Sequence, residues 1–245
     1  MSRVLVEGNR GYCEKYPENT LVSFEAALDL GVDAFEFDVW LTADKVPVIM
    51  HDGRCTRTCS DERHLRDMTY EEVKTLDAGY AKKFGDQYVG QGHGVPSLEE
   101  VLQLCVRKRP DIILGVEIKE YTEENVDLTI ALLKKYGFFD RCYFYAFNGR
   151  IIKYIKTAHN GRTMGYPDFQ MQEFAPDTYS YYDEIGLGMN IVRSEVFPIF
   201  AAKGLPMHMY CADTEEDVQL CMDKGAALIT ANDPVPLMTK LGLIK

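Results

Sequence analysis

The stretch Asn19-Thr20-Leu21-Val22-Ser23-Phe24-Glu25-Ala26-Ala27-Leu28-Asp29-Leu30-Gly31-Val32-Asp33-Ala34-Phe35-Glu36-Phe37-Asp38-Val39-Trp40 holds one complete helix-to-strand unit. Apolar Leu21, Val22, Phe24, Ala27 and Leu28 recur at helical spacing over 19–30, and Gly31 stops the run. From Ala34 the period drops to two. Glu36 and Asp38 then share one face of a strand, and Phe35, Phe37 and Val39 share the other.

Outward from this unit the same alternation continues. Strands are expected at 3–8, 34–40, 46–50, 112–117, 142–145, 162–165, 186–189, 206–210 and 227–230. Helices are expected between them: 122–136 stopped by Gly137, 148–158, 195–202 before Gly204, and 214–224 before Gly225. Ser97 with Glu100 reads as a capping box ahead of Leu98, Val101, Leu102 and Leu104, and Thr214 with Asp217 as a second one. The glycine-rich 80–95 stretch reads as a loop. Repeated strand–helix alternation means a parallel sheet, either open or closed into a barrel. The 245-residue length and the lack of a GxGxxG fingerprint after the first strand favour a single-domain TIM-type (β/α)8 barrel over 1–245.

Composition bounds the partners. With 38 acidic and 27 basic side chains the net charge is −11, so a long polyanion such as nucleic acid meets a surface of its own sign. A small anion remains compatible, because a few placed cations override the global field. No apolar run approaches a membrane span, and no leader-like segment opens the chain, so a cytoplasmic protein is expected. Seven scattered cysteines match neither a disulfide framework nor a zinc site.

Four windows carry candidate chemistry. Glu36 and Asp38 stand on one strand face, where two close carboxylates want a shared proton or a cation between them; solvated edge residues are the plainer alternative. Glu117 and Lys119 repeat the geometry, as a metal-ligand extension or as a mutual ion pair. His51, after a short strand, is a proton shuttle or a loop-capping group. Arg10 is an anion clamp or an ordinary surface arginine. His64, His93 and His159 lie in polar or glycine-rich surroundings, and His208, sharing a face with Tyr210, reads as interior packing.

In order, these windows resemble the glycerophosphodiester phosphodiesterase family. The text that carries the likeness is Arg10-Gly11, Pro17-Glu18-Asn19-Thr20, Glu36-Phe37-Asp38-Val39, Pro47-Val48, His51-Asp52, Arg57-Thr58, Val95-Pro96-Ser97-Leu98-Glu99-Glu100, Glu117-Ile118-Lys119 and Thr230-Ala231-Asn232-Asp233-Pro234. The resemblance implies a TIM-type barrel, one divalent cation (Mg²⁺ or Ca²⁺) and hydrolysis of a small glycerophosphodiester, a step of lipid metabolism. It implies that Glu36, Asp38 and Glu117 hold the metal, that Arg10 and Lys119 meet the phosphate, and that His51 is one of two acid/base histidines. The family's His-Arg-Gly reads Asn9-Arg10-Gly11 here, and Asn9 cannot exchange a proton at neutral pH. Near the seventh strand the family's Trp-Thr-Val-Asn reads Tyr210-Cys211-Ala212-Asp213, which makes Tyr210 the aromatic wall against the substrate and adds a carboxylate. Asn9 admits four readings: an engineered inactivation; a natural enzyme in which Glu7, Asp213 or water moves the proton; a glycosidase-like hydrolase using carboxylates; or a non-catalytic phospholigand binder.

Overall fold

A computed structural model describes residues 3–244. Met1, Ser2 and Lys245, the ends of the domain expected over 1–245, lie outside the described residues. Nine strands form: β1 Leu5–Gly8, β2 Ala34–Leu41, β3 Pro47–Ile49, β4 Ile113–Ile118, β5 Cys142–Tyr145, β6 Thr163–Gly165, β7 Glu184–Gly188, β8 Met207–Tyr210 and β9 Leu228–Ala231. Eight of them pair in parallel in the order β1-β2-β4-β5-β6-β7-β8-β9, and β9 returns to β1. The ring is closed, as the length and the missing GxGxxG fingerprint led one to expect.

The ninth strand is not a stave. β3 runs antiparallel to β2, with Val39 opposite Ile49 and Leu41 opposite Pro47. Antiparallel neighbours can be joined by a short connection, and only five residues separate β2 from β3. The chain then makes a long excursion before the helix Leu98–Lys108, packed on a satellite core of Val48, Met50, Cys55, Leu65, Met68, Val73 and Leu76. This excursion carries His51, Asp52 and Arg57.

β2 is buried on both faces, as barrel strands under helices must be. Its outward Phe35 stacks on Phe24 at 4.8 Å, and Phe37 meets the same ring edge-on. Phe24 belongs to the helix Leu21–Leu30, capped by Thr20 Oγ1 accepting from Ser23 N, and ended by Gly31 at φ 89°. The inward face is left to Glu36 and Asp38.

Several local expectations change. The 80–95 stretch contains a helical turn, Ala81–Phe84, and a 3-10 turn, Gly85–Gln87. The helix expected at 195–202 is Phe197–Ala201, with a separate turn at Met189–Val192, and β7 begins at Glu184 rather than Gly186. Ser97 and Glu100 form the full reciprocal box. Thr214 accepts from Asp217 N, but the Asp217 carboxylate binds the Thr214 hydroxyl and Arg193 instead of returning to the cap backbone. Aspartate is one methylene short of the reach glutamate has in a box.

The Phe24→Ala variant should lose about 3–5 kcal/mol of stability in equilibrium urea unfolding, because a fully buried ring leaves a cavity under β2. A loss below about 1 kcal/mol would contradict the packing of this helix on the strand.

Candidate active site

Strand register assembles the site. Asp38 is paired with Glu117, Glu36 with Gly115, and Glu117 with Tyr145. Residues side by side on parallel strands face the same way, so all three carboxylates point into the barrel at the C-terminal ends of β2 and β4. They are almost fully buried, Glu36 at 4%, Asp38 at 1% and Glu117 at 6% exposure. They line a cavity of about 190 Å³.

Two cations stand among the carboxylates. Lys119 Nζ lies 2.7 Å from Glu117 Oε1 and 3.2 Å from Asp38 Oδ1. Arg10 Nε lies 3.5 Å from Asp38 Oδ2, and Arg10 N donates to Glu36 Oε1 at 2.7 Å. Arg10 sits at φ 49°, a left-handed conformation uncommon for a long side chain. Its contacts to Glu36, Asp38 and Glu18 hold it there. Neutral donors complete the set: Asn19 Nδ2 to Asp38 Oδ2 at 2.7 Å, and Tyr145 OH to Glu36 Oε2 at 2.8 Å.

A second ion chain positions the histidine. His51 Nδ1 is 2.6 Å from Asp52 Oδ1, and Asp52 Oδ2 accepts from Arg57 Nε at 2.5 Å. Arg57 also donates to both oxygens of Glu18, which accepts from Arg10 as well. One partly buried glutamate thus ties the arm that holds His51 to the arginine of the first turn. Asp52 pairs with Nδ1, and Nε2 is the ring nitrogen left for a ligand.

The charges are strongly displaced from ordinary values. Burial raises Glu36, and the neighbouring Asp38 raises it further. Glu117 is pushed up to about 7 by burial, against the pull of Lys119. Burial also works against the charge on Asp38, but Lys119 and Arg10 outweigh it and hold that carboxyl well below the usual range. The imidazole of His51 is lowered, because burial outweighs the attraction of Asp38.

Among the described residues, no group of three His, Cys, Asp or Glu side chains closes into a ready metal cage. The three carboxylates nevertheless suit a hard divalent cation. All six donors are oxygens, and buried Asp38 Oδ1 and Glu117 Oε1 receive no well-aligned hydrogen bond.

Asn9, Arg10, Glu36, Asp38, His51, Glu117, Lys119 and Tyr210 all line this one cavity. Asn9 Nδ2 donates to Asn232 Oδ1 at 2.6 Å. Asp213 does not line the cavity: it accepts from the backbone and side chain of Asn232 and from Asp233 N, and so serves as a loop anchor. His208 packs edge-on against Tyr143 at 4.7 Å, but it also lines the cavity, which a pure packing role did not anticipate. Sequence reasoning passed over the aromatic side: Tyr145, Phe147 and Tyr166, with Phe147 and Tyr166 stacked at 3.9 Å. The alternation Tyr143, Tyr145, Phe147 was the available signal for an inward face. Glu18, part of a quoted motif, had no role until Arg10 and Arg57 were seen to share it.

The profile of the Glycerophosphoryl diester phosphodiesterase family matches residues 10–235. A glycerophosphodiester phosphodiesterase of Caldanaerobacter subterraneus subsp. tengcongensis is 30% identical over 249 residues, 96% of this chain and 97% of that protein. One from Bacillus subtilis is 27% identical over 254 residues, 95% of this chain and 84% of that protein. An Oleispira antarctica phosphodiesterase, solved with the product sn-glycerol-3-phosphate, shares the fold with a TM-score of 0.84 at 22% identity, covering 97% of this chain and 96% of its own.

The geometry predicts the protonation of His51. Nitrogen-15 NMR should find the neutral ring protonated at Nδ1 toward Asp52, titrating below the ordinary imidazole value of about 6.5. Burial penalises the imidazolium, so the neutral ring persists to lower pH than in a free peptide. A midpoint above 7, or an Nε2–H tautomer, would contradict the arrangement.

Proposed function

This chain belongs to the glycerophosphoryl diester phosphodiesterase family and is a phosphoric diester hydrolase of it; from that premise we propose that it cleaves a small glycerophosphodiester to glycerol phosphate and an alcohol. The observation that carries the reading is the convergence of three buried carboxylates, two cations and a carboxylate-held histidine on one cavity. Glu36, Asp38 and Glu117 would hold one divalent cation, Mg²⁺ or Ca²⁺. When bound, the cation supplies charge neutralisation to the phosphoryl oxygens and favours ionisation of the attacking oxygen.

The chain's own groups do the rest. Arg10 and Lys119 present a planar fork and a point charge to the phosphate, drawing it to the mouth of the ring. His51 takes the proton of the attacking water at Nε2, while Asp52 holds the other nitrogen and stabilises the positive ring that results. Asp52 is kept in place by Arg57, so the base is oriented before substrate arrives. Tyr210 and Tyr166, ring centroids 5.7 Å apart, offer an apolar wall to the carbon part of the substrate.

A cavity of this size takes a headgroup and not a polymer, in keeping with a net charge of −11. Among the described residues no helix is long and apolar enough to cross a membrane. Seven free cysteines, most of them buried, support placement in a reducing compartment such as the cytoplasm. A glycerophosphodiester is a phospholipid stripped of its acyl chains, so the reaction belongs with lipid breakdown.

The test is direct. Incubation with glycerophosphocholine and Mg²⁺ or Ca²⁺, followed by phosphorus-31 NMR, should show glycerol phosphate, and excess EDTA should abolish it. Ligand-induced thermal stabilisation without product would instead make the protein a phospholigand binder. For the metal, Glu36→Ala should abolish the divalent-cation heat in calorimetry; unchanged binding would remove the three carboxylates from that role.

A further inference from the structure

Asn9 leaves one proton unaccounted for, and the floor of the cavity holds a carboxylate that the mechanism above does not use. Glu7 is on β1, two residues before Asn9, which lies in the turn just past the strand, so Glu7 stands deeper in the barrel. It is 1% exposed and lines the same cavity as Asn9 and His51. Its Oε2 accepts from Thr230 Oγ1 at 2.7 Å, and its Oε1 accepts from the Tyr143 hydroxyl. Backbone is arranged around this contact: a Cβ at Gly115 would meet Tyr143 Oη at 2.5 Å and Glu7 Oε1 at 2.9 Å. A glycine inside a central strand is otherwise unfavourable, and here it makes room for a buried acid.

The groups facing Glu7 are Tyr143 on β5, Thr230 on β9, His208 on β8 and Glu184 on β7, with the charge of Glu36 on β2 acting from further off. Burial raises the Glu7 carboxyl, with His208 as the opposing influence. His208 Nε2 lies 3.2 Å from Glu184 Oε2, a second histidine–carboxylate pair in the barrel beside that of His51 Nδ1 with Asp52. Its Nδ1 is buried without a partner.

The geometry points to Glu7 as the second proton-transfer group of this site, giving the leaving oxygen from the cavity floor the proton that Asn9 cannot give from the rim. The inference rests on the phosphodiesterase reading. As the water oxygen bonds to phosphorus, its proton passes to His51 Nε2. As the bond from phosphorus to the leaving oxygen breaks, the Glu7 carboxyl proton passes to that oxygen, releasing a neutral alcohol. Glu7 becomes a carboxylate, stabilised by the Tyr143 and Thr230 hydroxyls and by His208, which acts as a positioning residue. Exchange with solvent then returns a proton to Glu7 and removes one from His51.

The test uses leaving groups of different basicity. Glu7→Gln keeps the size and can still bond both hydroxyls, its oxygen accepting from one and its amide NH2 donating to the other, but it has no acidic proton to give. Against glycerophosphocholine, whose alkoxide needs protonation, its kcat should fall on the order of 10²-fold or more. Against the 4-nitrophenyl ester of glycerol phosphate, whose leaving group departs as an anion, the fall should stay below about 3-fold, with an unchanged melting temperature. Equal losses on both esters, or no loss on either, overturn the assignment and leave the phosphodiesterase reading intact. Failure of the unmodified protein to cleave either ester overturns both. If Glu7→Gln does not fold, Tyr143→Phe carries the test: a loss confined to glycerophosphocholine supports the assignment, and equal losses on the two esters overturn it.

Discussion

Glu36, Asp38 and Glu117 are nearly as buried as the leucines of the core, and three carboxylates so placed repel one another in a medium that hardly screens them. Arg10 and Lys119 make the arrangement tolerable by standing between them, and each cation is held in turn by more than one carboxylate. Removing one member of such a set leaves a charge without a partner, at a cost of about 3–5 kcal/mol in comparable buried pairs. Much of the upper barrel serves this balance. Asn19, at the start of the first helix, donates to Asp38, and Tyr145 on β5 donates to Glu36. Glu18 Oε1 accepts from both Arg10 and Arg57, and Glu18 Oε2 accepts from Arg57. The left-handed turn at Arg10 and Gly11 follows from the same requirement, since it aims Arg10 N at Glu36.

The proposed acid–base groups obey a different rule. A proton-transfer residue must be able to change charge, so it cannot be locked between fixed counter-ions. The hydrogen bonds of His51 lead to the charge cluster through Asp52, Arg57 and Glu18, on an excursion with its own small core. Glu7 lies below the cluster among hydroxyls and a histidine, with no fixed cation in its hydrogen-bond shell. The two proposed sites of proton exchange thus flank the charge cluster from the rim and from the floor, while the groups proposed to bind anion and cation stay inside it.

What could be read in the chain was whatever depends on local spacing. Period two over 34–40 placed Glu36 and Asp38 on one face, and the same rule joined Glu117 to Lys119. What could not be read depends on pairing at long range. Nothing local distinguishes β3, an antiparallel flap, from a barrel stave; its partner decides, and β2 lies only five residues away. His208 looked like packing because its neighbours are apolar, yet the cavity is bounded by side chains from strands far apart in sequence. Glu184 was lost with the first two residues of β7, since strand ends are set by neighbouring strands as much as by composition. Asp213 was credited with chemistry because it is a carboxylate near a strand end, and only its hydrogen bonds to Asn232 and Asp233 show it to be an anchor.

The net charge of −11 and an anionic ligand are reconciled by distance. Exposed charges more than about 8–10 Å from the phosphate are largely screened at physiological salt, whereas Arg10 and Lys119 act inside the cavity with little screening. A ligand small enough to fit the cavity therefore meets mainly the inner field, which a divalent cation on the carboxylates would turn positive. A longer polyanion would leave most of its charges outside, against an acidic surface. The acidity of the exterior and an interior turned positive by a bound cation would act together, favouring phosphodiesters whose whole charge can enter.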